Sequence, residues 1–270
     1  MTPAPARVTP APRARPSTTM RLVRHAPLGR CLYCLSSSDP LTEEHLIPQS
    51  LGGRLTLRDA VCEPCRRLTG RLEQLTLDRE FAVPRTLLAL KRRRARGKGP
   101  ARLPAVAVEG DDPAAALTPD TFPRTFSLPA FEPAGLLAGT AQTTASAHVD
   151  FVACRLNLGT PTRQARAIAP PLADPHAYAW SIAKWAYALA VAERGLDCCD
   201  TQPMRDLMQG RRDDVFAFVG TRSPREPAPR DWLHAATLHD DGPWLTLRLA
   251  LLASAGMPPY EIVIGRRHGA

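Results

Sequence analysis

The sequence predicts an α+β protein in two parts. A small N-terminal module is built around paired cysteines, and an α+β domain with one long helix and an antiparallel sheet follows it. Three observations carry this. Cys31-Leu-Tyr-Cys34 and Cys62-Glu-Pro-Cys65 are two C-x-x-C pairs that bracket a Gly52-Gly53 turn signal. Residues 174–195 place apolar side chains at helical spacing between two cap signals. Beyond residue 215, short apolar runs alternate with turn residues, as in an antiparallel sheet.

The bulk numbers bound the function. A chain of 270 residues with 44% hydrophobic content can bury a real core. The net charge is +9 and it is unevenly spread. Residues 1–100 hold 19 Lys+Arg against 8 Asp+Glu, a net of +11, so residues 101–270 carry a net of −2. This asymmetry favours a polyanionic partner, because each neutralised phosphate releases counterions. Solubility alone is the bland alternative. The seven cysteines are an odd number, and four of them fall in C-x-x-C pairs. That pattern argues against a disulfide framework and for a reducing, cytoplasmic setting. The first 20 residues lack the apolar core of a secretory signal. No apolar run is long enough to span a membrane, so no membrane partner is expected.

In chain order, residues 1–19 are Pro, Ala, Arg and Thr with almost no large apolar side chain, which predicts a disordered tail. Residues 20–82 form the cysteine module. Within it, a hairpin is expected with Glu44, His45 and Leu46 on one strand and Leu55 to Leu57 on the other. A helix then opens at Cys62 and runs to about Arg79. Leu68, Leu72 and Leu75 are its expected apolar face, with Arg71 and Glu73 outward. Residues 83–104 read as a basic linker, with six Lys or Arg between Lys91 and Lys98.

Residues 105–270 make up the second domain. β-like runs stand at 105–108 and 148–156, and turns at 110–113 and 132–135. Asp174 is the N-cap of the long helix, Pro175 its first residue and Gly195 its C-cap. A short helix over 202–208 follows. Strands are then expected at 215–219, 233–238, 244–251 and 260–264, with Asp240-Asp241-Gly242 as a hairpin turn.

A C-x-x-C pair offers two thiolates to one ion from a tight turn. Two pairs give the closed tetrahedral set of a structural zinc site, so Cys31, Cys34, Cys62 and Cys65 are the candidate Zn²⁺ ligands. The first pair sits in a loop and the second at a helix start, which suits a treble clef. Closed coordination leaves no position for water, so this zinc contributes folding energy instead of chemistry. The Glu44-His45 dipeptide lies between the pairs. An imidazole can take a proton from water and a carboxylate can hold a hard cation, the two parts that phosphodiester hydrolysis needs. Neighbours on a regular strand point to opposite faces, so a twist or bulge is needed to converge them.

The pattern C-x-x-C, E-H-x-x-P-x-S-x-G-G, C-x-x-C over residues 31–70 resembles the HNH endonuclease family in its zinc-stabilised ββα-metal, treble-clef form. The resemblance implies that His45 is the general base and that Glu44 helps bind one Mg²⁺ or Mn²⁺. It implies that Pro48, Gly52 and Gly53 shape the hairpin, and that the four cysteines hold structural zinc. The implied substrate is nucleic acid, with DNA expected. Two positions depart from the family. Arg58-Asp59 stands where an Asn is usual, and Arg66 follows the fourth cysteine where an Asn or His ligand is usual. A guanidinium has no lone pair for a cation. Asp59 or Glu73 could compensate, or Arg66 and Arg67 could grip a phosphate. The leading expectation is therefore an HNH-type endonuclease. The alternatives are a catalytically degenerate, zinc-binding nucleic-acid-binding module and a zinc-stabilised interaction protein.

Overall fold

The computed structural model describes residues 23–90, 124–140, 147–156, 174–221 and 233–269. The expected tail at 1–19, the linker from residue 91 onward, the run at 105–108 and the turn at 110–113 lie outside the described residues. The fold is α+β, as the sequence predicts.

The N-terminal module begins with β1 (Val23–His25), β2 (Leu41–His45) and β3 (Leu55–Cys62). β3 is the central strand, with β1 parallel to it and β2 antiparallel. A 3₁₀ turn at Gln49–Leu51 leads into Gly52 and Gly53. Both glycines are required. Gly52 has φ +88°, and a Cβ on Gly53 would stand 2.0 Å from the Ile47 carbonyl oxygen. Pairing between β2 and β3 shifts between Thr42 and Glu44. The extra residues are on β3, around Asp59, which adopts φ +46°. The bulge is thus in the strand opposite Glu44, and its carbonyls at Arg58 and Asp59 accept from Leu28 and Gly29.

Helix α1 (Glu63–Asp78) starts directly at the second cysteine pair, with Pro64 in its first turn. Its length matches the expectation and its orientation does so only in part: Arg71 is outward and Leu72 packs against the core, but Leu68 and Glu73 differ. Leu68 is 45% exposed, whereas Cys65, Thr69, Thr76 and Leu77 are buried. Glu73, expected outward, turns into the protein. The reason is the partner. α1 packs on α4 (Pro175–Arg194) through a polar seam. Thr76 donates to the Ala177 carbonyl (3.0 Å) and Ser181 donates to the Thr76 hydroxyl (2.9 Å). Satisfied buried polar groups fix one helix rotation, where a leucine face would tolerate several. The short helix α2 (Ala82–Leu87) follows. Val83, Arg85 and Leu87 at the head of the expected linker are buried in it.

α4 organises the remainder. Asp174 caps it by accepting from the Ala177 N–H (3.0 Å), and Gly195 ends it. Every residue from Ala177 to Val191 is buried. A helix covered on all sides is a core helix, and its many alanines allow close neighbours. Around it stand β4 (Thr125–Phe131) paired with β5 (Val149–Arg155), the single turn α3 (Gly135–Ala138), and α5 (Gln202–Met208). The expected strand at 215–219 is instead α6 (Val215–Phe218), with only Val219–Thr221 extended as β6. A five-residue apolar run cannot by periodicity separate a buried turn of helix from a buried strand. β7 (His234–Asp241), β8 (Trp244–Leu251) and β9 (Tyr260–Arg266) complete an antiparallel sheet in the order β6-β9-β8-β7. The β7–β8 turn falls at Gly242, with φ +57°.

The two parts share one hydrophobic core. Tyr187 on α4 donates to the Leu32 carbonyl (2.8 Å), and Gln209 donates to the Tyr33 carbonyl (2.6 Å). At the far end, His234 contacts the Leu51 carbonyl through Nε2 (2.8 Å) while its Nδ1 accepts from the Leu252 N–H (3.2 Å). The cysteine loop and the Gly-Gly turn are thus both gripped by the second half of the chain.

Candidate metal centre and the Glu44–Lys184–Glu73 cluster

The cysteine site forms as the spacing predicts. The Sγ atoms of Cys31, Cys34, Cys62 and Cys65 all lie within 4.8 Å of one another. A tetrahedron of zinc–sulfur bonds of about 2.3 Å needs sulfurs roughly 3.8 Å apart, so these four could hold a zinc ion. Cys34 and Cys62 approach to 3.6 Å. The loop gives the first pair and the strand-to-helix junction the second, so the ion would tie the knuckle to the start of α1. Crowding splits the thiols. A hydrogen bond from Cys65 holds Cys31 down to about 4, and burial pushes Cys62 up to about 11.

Glu44 does not look out from the hairpin. It is 6% exposed, and Oε1 takes two donors: the Tyr33 hydroxyl (3.0 Å) and the Lys184 ammonium (2.8 Å). Lys184, on α4, is itself 3% exposed. Its Nζ lies 2.9 Å from Glu73 Oε1, and that oxygen also accepts from the Trp185 indole (2.5 Å). One ammonium therefore joins a carboxylate from β2 to a carboxylate from α1. Burial pulls the Lys184 pKa down, but Glu44 and Glu73 outweigh it and hold it above the ordinary lysine value. Burial, with the same carboxylates behind it, raises Tyr33 well above an ordinary tyrosine, so the phenol stays a donor.

His45 shares none of these bonds. Its Nδ1 is shut away from solvent and has no hydrogen-bond partner. Asp59 is exposed on the bulge, and no hydrogen bond joins it to His45. Arg66 turns back along its own helix. It donates to Glu63 at 2.6 and 2.7 Å, and Arg67 donates to the same carboxylate at 2.7 Å. Those two guanidinium groups hold the Glu63 pKa down to about 2. The structure thus unites Glu44 with Tyr33, Glu73, Lys184 and Trp185, and leaves His45, Asp59 and Arg66 outside the cluster. Lys184 is the residue that sequence reasoning missed. Its one available signal is composition: the chain has three lysines among 35 Lys+Arg, and one of them stands inside the long apolar helix.

Residues 31–81 match the family model described as HNH endonuclease. The match supports an HNH endonuclease family domain in this segment, and it spans the cysteine site, Glu44, His45 and all of α1. No curated protein and no solved structure matches the chain.

The family implies a divalent cation at Glu44, and the residues present do not fit one. A cation bound to Glu44 Oε1 would stand less than about 5 Å from the Lys184 nitrogen, a repulsion of about 7 kcal/mol at an effective dielectric of about 20. Glu44 and Glu73 hold the Lys184 pKa above the ordinary lysine value, so the nitrogen already at Glu44 is a charged one. Arg66, at the other expected ligand position, offers no lone pair and is paired with Glu63. Four thiols fit a zinc ion, whereas the Glu44 carboxylate is already neutralised by a side chain.

Proposed function

We propose that this protein binds nucleic acid through its HNH domain, with zinc in the four-cysteine site as a structural ion and Glu44 as an internal structural carboxylate. The single observation that carries this reading is the 2.8 Å contact between Lys184 and Glu44, buried on both sides. The nucleic-acid part rests on the family match and on the net +11 of residues 1–100. DNA is the substrate we favour. Residues 105–270 serve in this reading as the support that fixes the module, through Tyr187, Gln209 and His234. Seven cysteines with no disulfide among them suit the cytoplasm.

A second reading has its own observation. The buried Nδ1 of His45 has no hydrogen-bond partner in the protein, so no structural bond accounts for that nitrogen. In that reading the chain is an endonuclease that hydrolyses phosphodiester bonds, with His45 as base and Glu44 holding Mg²⁺ or Mn²⁺.

Two assays on the zinc-loaded full chain separate the readings. A gel shift in EDTA should show DNA binding that weakens steeply with salt, equally in wild type and His45→Ala. Supercoiled plasmid with Mg²⁺ or Mn²⁺ should be nicked no faster by wild type than by His45→Ala. Cation-dependent nicking lost in His45→Ala establishes the endonuclease instead. Absence of both binding and nicking leaves a zinc-stabilised interaction protein.

A further inference from the structure

We infer that Lys184 is a resident counter-cation, and that it fills a latent two-carboxylate site for a hard divalent cation formed by Glu44 and Glu73. The inference rests on the non-catalytic reading of Glu44 above and goes beyond it by naming what replaced the metal and which second carboxylate would serve it. Glu44 and Glu73 come from different elements, 29 residues apart in the chain, yet both direct an Oε1 at one nitrogen, at 2.8 and 2.9 Å. Two carboxylate oxygens brought to one point are also the start of a ligand set for a hard cation.

Two fixed donors keep the carboxylates aimed. Tyr33 holds Glu44 and Trp185 holds Glu73, neither through Lys184. The aim therefore outlasts removal of the ammonium. Charge points the same way. Two carboxylates and one ammonium leave a net of −1, and a divalent ion in place of the ammonium would leave zero. The choice of lysine fits as well. In a chain with 35 Lys+Arg, only three are lysine, and the enclosed position has the compact point charge instead of the forked guanidinium. An ammonium between two carboxylates is the closest a side chain comes to a small cation.

The test is an Mn²⁺ titration of the zinc-loaded full chain, followed by the electron paramagnetic resonance signal of free Mn²⁺, with zinc content checked throughout. Wild type should take up no Mn²⁺ in the micromolar range. Lys184→Ala should bind one Mn²⁺ at least tenfold more tightly than wild type, and its melting temperature should rise by several degrees in Mn²⁺. The double variant Lys184→Ala, Glu73→Gln should lose that gain. Lys184→Gln, which keeps the side-chain volume, is the second variant in case the alanine form is unfolded without metal. Recovery of its fold on adding Mn²⁺ then supports the inference. No gain of Mn²⁺ in either variant overturns it, and so does a chain that stays unfolded with Mn²⁺ present. Tight Mn²⁺ binding by wild type that Glu73→Gln abolishes also overturns it. None of these readouts involves nucleic acid, so they stand or fall apart from the gel-shift and nicking results.

Discussion

Glu44→Gln separates a structural carboxylate from a metal ligand by the sign of its effect on stability. In the structure Glu44 Oε1 receives the Lys184 ammonium and the Tyr33 hydroxyl, all three groups buried. Glutamine keeps an acceptor oxygen and nearly the same shape, but removes the charge. A hydrogen bond with a charged partner contributes about 1.5–3 kcal/mol and a neutral one about 1, so the two bonds together lose about 1–4 kcal/mol. Glu73 remains beside Lys184, which keeps the loss below the roughly 3–5 kcal/mol of a fully orphaned buried charge. At about 2–4 °C per kcal/mol for a domain of this size, the melting temperature should fall by roughly 2–16 °C. An unfilled metal site behaves in the opposite way. There the carboxylates repel, and neutralising one stabilises the protein without metal. The assay is a thermal melt in EGTA-buffered solution, with zinc content checked after each preparation. A melting temperature unchanged or raised in Glu44→Gln would refute the internal pairing.

Two further outcomes follow from the same geometry. Removing zinc with a strong chelator, or replacing Cys62 with Ser, should abolish cooperative melting of the module, because structural zinc contributes on the order of 10 kcal/mol or more to such folds. Metal analysis should find about one zinc per chain, and a stably folded zinc-free protein would contradict the site. The second concerns acid. Burial depresses the His234 pKa below its unfolded value of about 6.5, and the ring sits neutral between Leu51 and Leu252. A base held neutral binds fewer protons folded than unfolded, so its contribution is full above the unfolded pKa and is lost as pH falls below it. Melting temperature should therefore drop from pH 7 toward pH 5 more steeply in wild type than in His234→Gln. Parallel profiles would show that this contact does not titrate.

What the sequence revealed follows the range of each signal. Cysteine spacing, the Gly52-Gly53 turn and the caps at Asp174 and Gly195 are local, and each forms where expected. The orientation of α1 was legible only in part, because part of its inward face is polar. Glu73 and Thr76 face α4 and are satisfied there, while Leu68, the residue that a hydrophobic pattern selects, stays exposed. β4 was missed because Pro129 lies within it, opposite Phe151, and proline counts against a strand. The Lys184 cluster was beyond local reasoning altogether. Its members are brought together by α4, which packs on α1 and reaches Glu44 of β2 through Lys184, and nothing near residue 184 marks that lysine as a partner of Glu44. The departure at Arg66 is visible in the sequence. Its pairing with Glu63 is local, whereas the ammonium beside Glu44 arrives from the other half of the chain.

The most direct test of that contact is observation of the Lys184 ammonium itself by ¹⁵N NMR of lysine-labelled protein, in which only three side chains contribute. The expected spectrum has one Nζ resonance with slowly exchanging protons, absent in Lys184→Ala and unmoved by millimolar Mg²⁺. Three solvent-averaged lysine signals, or a protected signal that Mg²⁺ displaces, would contradict a lysine seated on Glu44.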